Sequence, residues 1–254
     1  MLSNEGPLPL KRVEEQYRGL TYPWGRLEHP EEVPFEVAPG VWWLRFTMPG
    51  PLNHINLWLL EDGDGWTIVD TCLNLETAKA HWESLFNGFM GEKPVKRVIC
   101  THMHPDHIGL AGWLCERFAC DLYMTQAEFL TGSLIMGYTG EQAPPAAISF
   151  YHRAGFSTSQ LDNYRDRFGG FGQFTTPLPH NYQRLTDRQT LAIGGRYWQI
   201  VVGEGHSPEH ACLYCPALQL VIAGDQILPR ITPNVSVFPT EPDGNPLEAW
   251  LASS

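Results

Sequence analysis

Short apolar runs separated by turn residues dominate the first half of the chain. The runs are rich in β-branched and aromatic residues, which is typical of strands. The predicted strands are VWWLRF (41–46), HINLWLLE (54–61), GWTIVDT (65–71), VKRVIC (95–100) and CDLYMT (120–125). The segment EDGDG between the second and third runs favours a hairpin turn. Apolar residues at helical spacing predict helices over residues 73–90 and 109–118.

The pattern changes between residues 126 and 180. This stretch is rich in Phe, Tyr, Met, Gly and Pro, and it contains the helical pieces QAEFLTGSLIMGY and SQLDNYRDRF. Strands resume with QTLAIGG, RYWQIVVGEG, HACLYCP and LQLVIAGDQ. We therefore expect a helical cap inserted into a strand-rich domain that extends over residues 35–254.

The two ends of the chain differ from this body. Residues 1–34 are rich in Pro, Glu and Arg without a clear period, which predicts an extended arm lying on the body. At the other end, GNPLEAWLASS begins as a helix, with Asn245 as the cap and Pro246 in the first turn. Because the pattern stops after about two turns, we expect that a C-terminal part of the domain is missing from the chain.

The composition is that of an ordinary globular protein. The 254 residues are 43% hydrophobic and 18% charged, which suits one large domain or two small ones. The chain has no apolar run of the roughly 18 residues that a membrane helix needs. The N-terminus also lacks the basic start and apolar run of a secretory signal. These features predict a cytoplasmic protein that does not enter a membrane.

Charge and cysteine content exclude two further classes. Lys and Arg total 17 against 28 Asp and Glu, a net charge of −11, so extended nucleic acid binding is not expected. Six cysteines in a chain of this length do not indicate a disulfide scaffold. In CLYC, strand alternation places Cys212 and Cys215 on opposite faces, so we interpret them as buried thiols rather than a metal or redox pair.

A dense cluster of histidines follows the predicted strand at 95–100. The segment THMHPDH holds His102, His104, Asp106 and His107, and such crowding is costly in a protein core unless something compensates it. A divalent metal is the usual reason for this density. His102 and His104 can converge on one ion, whereas Asp106 and His107 lie past Pro105 and can bind a second.

Two distant segments supply further ligands. His206 lies in GEGHSPEH at the end of one predicted strand, and Asp225 lies in IAGDQ at the end of another. Metal-type ligands therefore follow three separate predicted strands. Mixed imidazole and carboxylate ligands suit zinc, or iron or manganese where oxygen donors are more numerous.

These segments together resemble the metallo-β-lactamase superfamily. THMHPDH matches its T-H-x-H-x-D-H signature, GHSPEH resembles its G-H-[ST]-P-G-H segment, AGDQ resembles its G-D segment, and IVDT resembles the turn before the cluster. The order and spacing of these motifs cover residues 36–240. The resemblance implies an αββα sandwich with two metal ions at one edge between the sheets.

The resemblance also assigns roles by motif. His102, His104 and His206 correspond to the ligands of the first metal, Asp106 and His107 to ligands of the second, and Asp225 to the carboxylate that bridges both. Asp70 corresponds to a residue that orients the metal loop. We expect His210 to make a supporting hydrogen bond rather than bind metal.

Two positions depart from the family pattern. Glu209 stands where the family segment usually has Gly, which could alter the loop. The family's last ligand of the second metal is a late histidine, and no histidine follows His210. The expected truncation would account for this absence. If the protein has no such histidine, the second site lacks one ligand and would be weak or empty.

The resemblance implies a dinuclear zinc hydrolase with a small-molecule substrate. In this hypothesis a metal-bound hydroxide attacks a thioester or ester carbonyl, as in glyoxalase II-like enzymes. Asp106 or Asp225 would orient the nucleophile and take its proton. The bridging carboxylate at Asp225 is similar to the thioesterase and lactonase branches of the family.

Several alternatives remain open from the sequence. A lactonase or a β-lactamase would use the same metal site. A persulfide dioxygenase with one non-haem iron would use the same pocket, whereas His104 disfavours the flavin-linked di-iron branch, which carries a carboxylate there. The last alternative is a zinc-binding fragment whose catalysis is impaired. The sequence leaves the oligomeric state open.

Overall fold

The computed structural model describes residues 14–23 and 33–254. The predicted arm over residues 1–34 therefore lies largely outside the described residues. Within its described part, β1 (Glu15–Tyr17) and β2 (Leu20–Tyr22) form an antiparallel hairpin. The Tyr22 hydroxyl donates a 2.9 Å hydrogen bond to the carbonyl of Pro229, and Arg230 lies 2.9 Å from the Glu15 carboxylate. This hairpin thus contacts the loop at residues 229–230.

Seven strands form the larger sheet, in their order along the chain. They are β3 (Phe35–Ala38), β4 (Val41–Thr47), β5 (His54–Asp62), β6 (Gly65–Val69), β7 (Val95–Ile99), β8 (Asp121–Thr125) and β9 (Gln183–Leu185). Strands β3 to β6 pair antiparallel, and β6 to β9 pair parallel. The hairpin predicted at EDGDG is confirmed, since β5 and β6 pair across it.

The smaller sheet has four antiparallel strands. They are β10 (Thr190–Ile193), β11 (Arg196–Gly203), β12 (His210–Cys215) and β13 (Leu220–Ile222). Apolar side chains of both sheets form the core between them, including Val69, Ile99, Trp198, Ile200 and Leu213. The alternation along β12 buries Ala211, Leu213 and Cys215 in this core. Cys212 lies on the other face, and both cysteines are free and buried.

Helices cover the two outer faces. They are α1 (Glu76–Asn87), α2 (Pro105–Ile108), α3 (Ala111–Phe118), α4 (Gln126–Gly137), α5 (Pro145–Arg153), α6 (Thr158–Arg167) and α7 (Pro246–Ser253). Trp82 of α1 and Leu114 of α3 pack into the outer core of the larger sheet, and α7 contacts β11. The predicted αββα sandwich is confirmed, and the segment 126–180 is helical as expected.

Several predicted helices and strands are longer than the observed ones. The helix predicted over 73–90 begins at Glu76, and the strand predicted over 218–226 ends at Ile222. Apolar runs alone do not show where a strand leaves its sheet. The predicted strands therefore include residues that already belong to the loops after them. The short edge strands β3 and β9 were not predicted, because four and three residues carry too little pattern.

The helix predicted at the C-terminus is confirmed. It is α7, and the Asn245 side chain accepts a hydrogen bond from the backbone N–H of Glu248, as an N-cap does. Gly205 lies against α7 so closely that an added Cβ would be 2.2 Å from the Pro246 carbonyl. This close approach joins α7 to the loop that follows β11.

A tight contact at Gly112 gives a test of the packing. A Cβ at this position of α3 would lie 1.8 Å from the carbonyl oxygen of Pro177, which is backbone and cannot rotate away. We expect Gly112→Ala to destabilise the protein by at least about 1–3 kcal/mol, the usual cost of overpacking. Thermal unfolding checks this. Gly137→Ala in α4, where a Cβ meets nothing within 4 Å, should leave the melting temperature nearly unchanged.

Candidate metal centre

Three histidines converge at the edge of the sandwich. His102 follows β7, His104 is the N-cap residue of α2, and His206 follows β11. Nε2 of His102 lies 2.9 Å from Nδ1 of His104 and 3.2 Å from Nε2 of His206. One nitrogen from each ring therefore faces a common point, and these three residues form a group that could hold a metal ion.

The outer nitrogens of two of these rings are fixed by hydrogen bonds. Nδ1 of His206 lies 2.9 Å from the carbonyl of Asn234, which can only accept, so this nitrogen carries the proton. The Thr101 hydroxyl donates to Asp70 at 2.9 Å and therefore accepts from Nδ1 of His102 at 3.0 Å. Both rings consequently direct an unprotonated Nε2 into the cluster, which is the tautomer that binds a metal.

The electrostatic environment keeps these rings neutral. Burial, reinforced by neighbouring histidines, lowers the pKa of His102 well below its usual value. Burial and His206 lower the pKa of His104 to about 4. Burial also lowers the pKa of His206, although Asp225 opposes the shift. Neutral imidazoles with inward lone pairs are a suitable donor set for zinc.

A second group lies beside the first. His107 donates from Nδ1 to Asp70 at 2.8 Å, and its Nε2 faces Asp106 at 3.7 Å and Asp225 at 3.6 Å. This Nε2 is buried without a hydrogen-bond partner. An orphaned ring nitrogen that faces two carboxylates across gaps too wide for hydrogen bonds fits a cation between them. His102, His107 and Asp225 form a second group that could hold an ion.

Asp225 lies between the two groups. Its Oδ1 is 3.6 Å from Nε2 of His107, and its Oδ2 is 3.6 Å from Nε2 of His206. Burial raises the pKa of Asp225, but His107 and His206 outweigh it and hold the pKa well below the usual range. Burial lowers the pKa of His107, yet Asp70 and Asp106 raise it well above its usual value. The negative charge of the carboxylates thus concentrates around His107.

Asp70 joins the strand ends that carry the cluster. Its Oδ1 accepts a 2.8 Å hydrogen bond from the backbone N–H of Thr101, and its Oδ2 accepts from His107. The residue is 1% exposed and has φ +63°, a left-handed conformation uncommon for residues other than glycine. The turn after β6 therefore directs this carboxylate under the histidine loop.

His210 contacts the cluster, but its Nε2 accepts a hydrogen bond from the backbone and is not free to bind a metal ion. Its Nε2 accepts a 3.1 Å hydrogen bond from the backbone N–H of Asp225. Gly224, with φ +49°, packs so closely that a Cβ would lie 2.6 Å from this ring. His210 thus fixes the loop that carries Asp225 rather than offering a free lone pair.

Sequence reasoning missed Glu128 and Asn234. Glu128 lies on α4, is completely buried, and accepts hydrogen bonds from the N–H groups of Met103 and Glu209 at 2.9 and 2.7 Å. Burial raises the pKa of Glu128, and the Ser207 side chain together with these two backbone donors opposes the shift. An acidic residue within the apolar stripe of a predicted helix is a signal for a buried carboxylate. No comparable signal in the sequence indicates that the Asn234 carbonyl accepts a hydrogen bond from His206.

Glu209 shows what the departure from the family pattern does. Its Oε2 accepts a 2.9 Å hydrogen bond from the N–H of Ala127 in the first turn of α4, where a negative charge is favourable. Its carbonyl accepts a 2.7 Å hydrogen bond from the Thr125 hydroxyl. The residue therefore connects the His206 loop to the start of α4.

The fold and this cluster together are those of a metallo-hydrolase. The chain belongs to the metallo-beta-lactamase superfamily, whose family model matches residues 50–253. Members of this superfamily bind divalent metals, and the histidine and aspartate cluster described above could hold them.

Solved structures and curated proteins from several organisms are similar to the chain. A beta-lactamase domain protein from Burkholderia ambifaria is 40% identical, with a TM-score of 0.81 over 91% of this chain and 67% of that one. A metallo-beta-lactamase family protein from Thermus thermophilus is 27% identical, with a TM-score of 0.71 over 86% and 69%. A probable metallo-hydrolase of Bacillus subtilis is 23% identical over 75% of this chain and 70% of its own length.

Among the described residues, no helix has the length and apolar character needed to cross a membrane.

Proposed function

We propose that this protein is a dinuclear zinc hydrolase that cleaves a thioester or ester bond in a small molecule. The observation that carries the proposal is the position of Asp225. Its two oxygens each lie 3.6 Å from a histidine of a different group, His107 in one case and His206 in the other. A carboxylate placed in this way can bridge two ions.

The donor atoms divide between two ions. Nε2 of His102, Nδ1 of His104 and Nε2 of His206 would hold the first. Nε2 of His107 and the carboxylate of Asp106 would hold the second, with Asp225 shared. When bound, two divalent ions supply the Lewis acidity that polarises a carbonyl and lowers the pKa of water.

The chain's own residues supply orientation and proton transfer. Asp106 and Asp225 have side chains 22% and 26% exposed, so both carboxylates reach the open side of the cluster. Either can orient a nucleophilic water and accept its proton. Asp70 holds His107, and His210 holds the backbone of Asp225, so the donors are fixed before a substrate enters.

The substrate class rests on the shared carboxylate and on charge. An aspartate at the position of Asp225 is similar to the thioesterase and lactonase branches of the family. The net charge of −11 disfavours a long polyanion as substrate. A thioester or ester is therefore the first class to test, and a lactone is the second.

Elemental analysis of the purified protein, followed by a substrate panel, tests the proposal. We expect about two zinc ions per chain and hydrolysis of thioesters or esters that a chelator abolishes and zinc restores. The panel should also contain lactones, β-lactams and alkyl sulfates, because the same centre could act on them. Iron with oxygen consumption, or bound metal without turnover on any substrate, would contradict the proposed activity.

A further inference from the structure

Glu128 connects the two loops that carry the first group of histidines. Its Oε2 accepts from the N–H of Met103, the residue between His102 and His104, and its Oε1 accepts from the N–H of Glu209. These donors are 25 and 81 residues away along the chain. One completely buried carboxylate therefore joins the loop after β7 to the loop after β11.

We infer that Glu128 is a positioning residue that sets the spacing between these loops and thereby the metal affinity of the three-histidine site. The inference rests on the proposed function, because it assumes that His102, His104 and His206 bind metal. No atom of Glu128 joins either group that could hold an ion. The residue acts through the backbone of Met103 and Glu209.

The helix that carries Glu128 is itself held firmly. One residue further on, Phe129 stacks on Tyr182 with ring centroids 4.0 Å apart. Gly132, one turn along α4, faces Met103 so closely that a Cβ would lie 3.3 Å from the Met103 Cβ. Glu209 in turn bonds to the first turn of α4 through Ala127. The positions of both loops are therefore fixed by α4, a helix of the segment 126–180, and not by the strands of the two sheets.

The contacts require a carboxylate of this length. Both bonds are donated by backbone N–H groups, so both side-chain oxygens must accept. In Glu128→Gln an amide NH₂ group would face one of the donors and leave a buried N–H without a partner. In Glu128→Asp the side chain is one methylene shorter and cannot span both loops.

The test measures the zinc affinity of the wild type and of each variant by competition with a chromophoric chelator. The visible spectrum of the Co²⁺-substituted protein reports the geometry of the ligands. We expect Glu128→Gln and Glu128→Asp to bind zinc about 10- to 100-fold more weakly than the wild type, the usual effect of losing a group that supports metal ligands. The visible bands of the Co²⁺ protein should also shift. These readouts do not depend on turnover.

Asp62→Asn is the matched control. Asp62 is also a buried carboxylate that joins distant segments, since it accepts from Thr67, Arg97 and the N–H of Gly194. It lies at the end of β5, away from the histidine loops. This variant should lower the melting temperature but leave zinc affinity and the Co²⁺ spectrum unchanged.

The outcomes separate the inference from the proposed function. If the wild type binds no metal, the proposed function fails. If the wild type binds metal and both Glu128 variants bind it equally well, only the inference fails. An equal loss of affinity in Asp62→Asn would also overturn the inference, because general destabilisation would then suffice. If neither Glu128 variant folds while Asp62→Asn does, Glu128 belongs to the fold alone and the inference is wrong.

Discussion

Replacing His104 with alanine is expected to remove metal from the first site and to lower kcat/KM by at least about 10³-fold, because without bound metal the pKa of the attacking water is no longer lowered. Nδ1 of His104 lies 2.9 Å from Nε2 of His102, so it completes the three-nitrogen group. The residue is only partly buried, whereas His102 is completely buried. The fold should therefore tolerate this change better than loss of His102. Elemental analysis and steady-state kinetics of the variant check the prediction.

A histidine outside the cluster provides the control for His104→Ala. His152 lies exposed on α5, and His152→Ala should keep full metal content and activity. The melting temperatures of wild type and His104→Ala should agree closely when both are measured in excess chelator. A His104→Ala protein with wild-type metal content and rate would contradict the assignment of this ring to the first site.

The sequence was informative about the site wherever ligands are crowded or follow strands. THMHPDH concentrates four candidate ligands in seven residues, and packing alone does not explain that density. His206 and Asp225 were recognised because each follows an apolar run, and the structure brings both to the same edge as His102. Strand ends meet at an edge of the sandwich, so a one-dimensional pattern was sufficient to predict this convergence.

The sequence pattern does not predict hydrogen bonds between residues that lie far apart along the chain. Glu128 bonds to Met103 and Glu209 across 25 and 81 residues, and His206 bonds to the carbonyl of Asn234 across 28. Nothing in a sequence shows which backbone N–H or carbonyl will face a buried side chain. The effect of Glu209 was open for the same reason, because its partners lie on α4 rather than in its own loop.

The limits of the fold prediction have a related cause. The major strands and helices were recognised from their periodicity, but their ends were not. β11 ends at Gly203 and β13 at Ile222, each a few residues before His206 and Asp225. These last residues continue an apolar or glycine-rich pattern while the backbone already turns toward the cluster. The boundaries that matter most for the site are thus those that local patterns define least well.

Asp225→Asn is expected to reduce the metal content from about two ions per chain to about one and to lower kcat/KM by at least about 100-fold, because loss of a ligand should cost no less than loss of a residue that only orients one. Asparagine has the same size but retains only one oxygen, so it cannot face both groups with an acceptor. It also removes the charge beside His107 and His206. The three-histidine group keeps all its donors and should still hold one ion.

The second ion bears the main effect, because the first ion takes His102 and only His107 and Asp106 would remain to hold the second. Without Asp225, Nε2 of His107 keeps only the Asp106 carboxylate opposite it, at 3.7 Å. Zinc titration monitored by calorimetry should therefore lose its weaker step while the tighter step remains. Asp62→Asn should retain both steps. If Asp225→Asn kept two ions and full activity, Asp225 would not bridge the two groups. If it lost both ions, the two groups would be a single interdependent site, because the first cannot then assemble without the shared carboxylate.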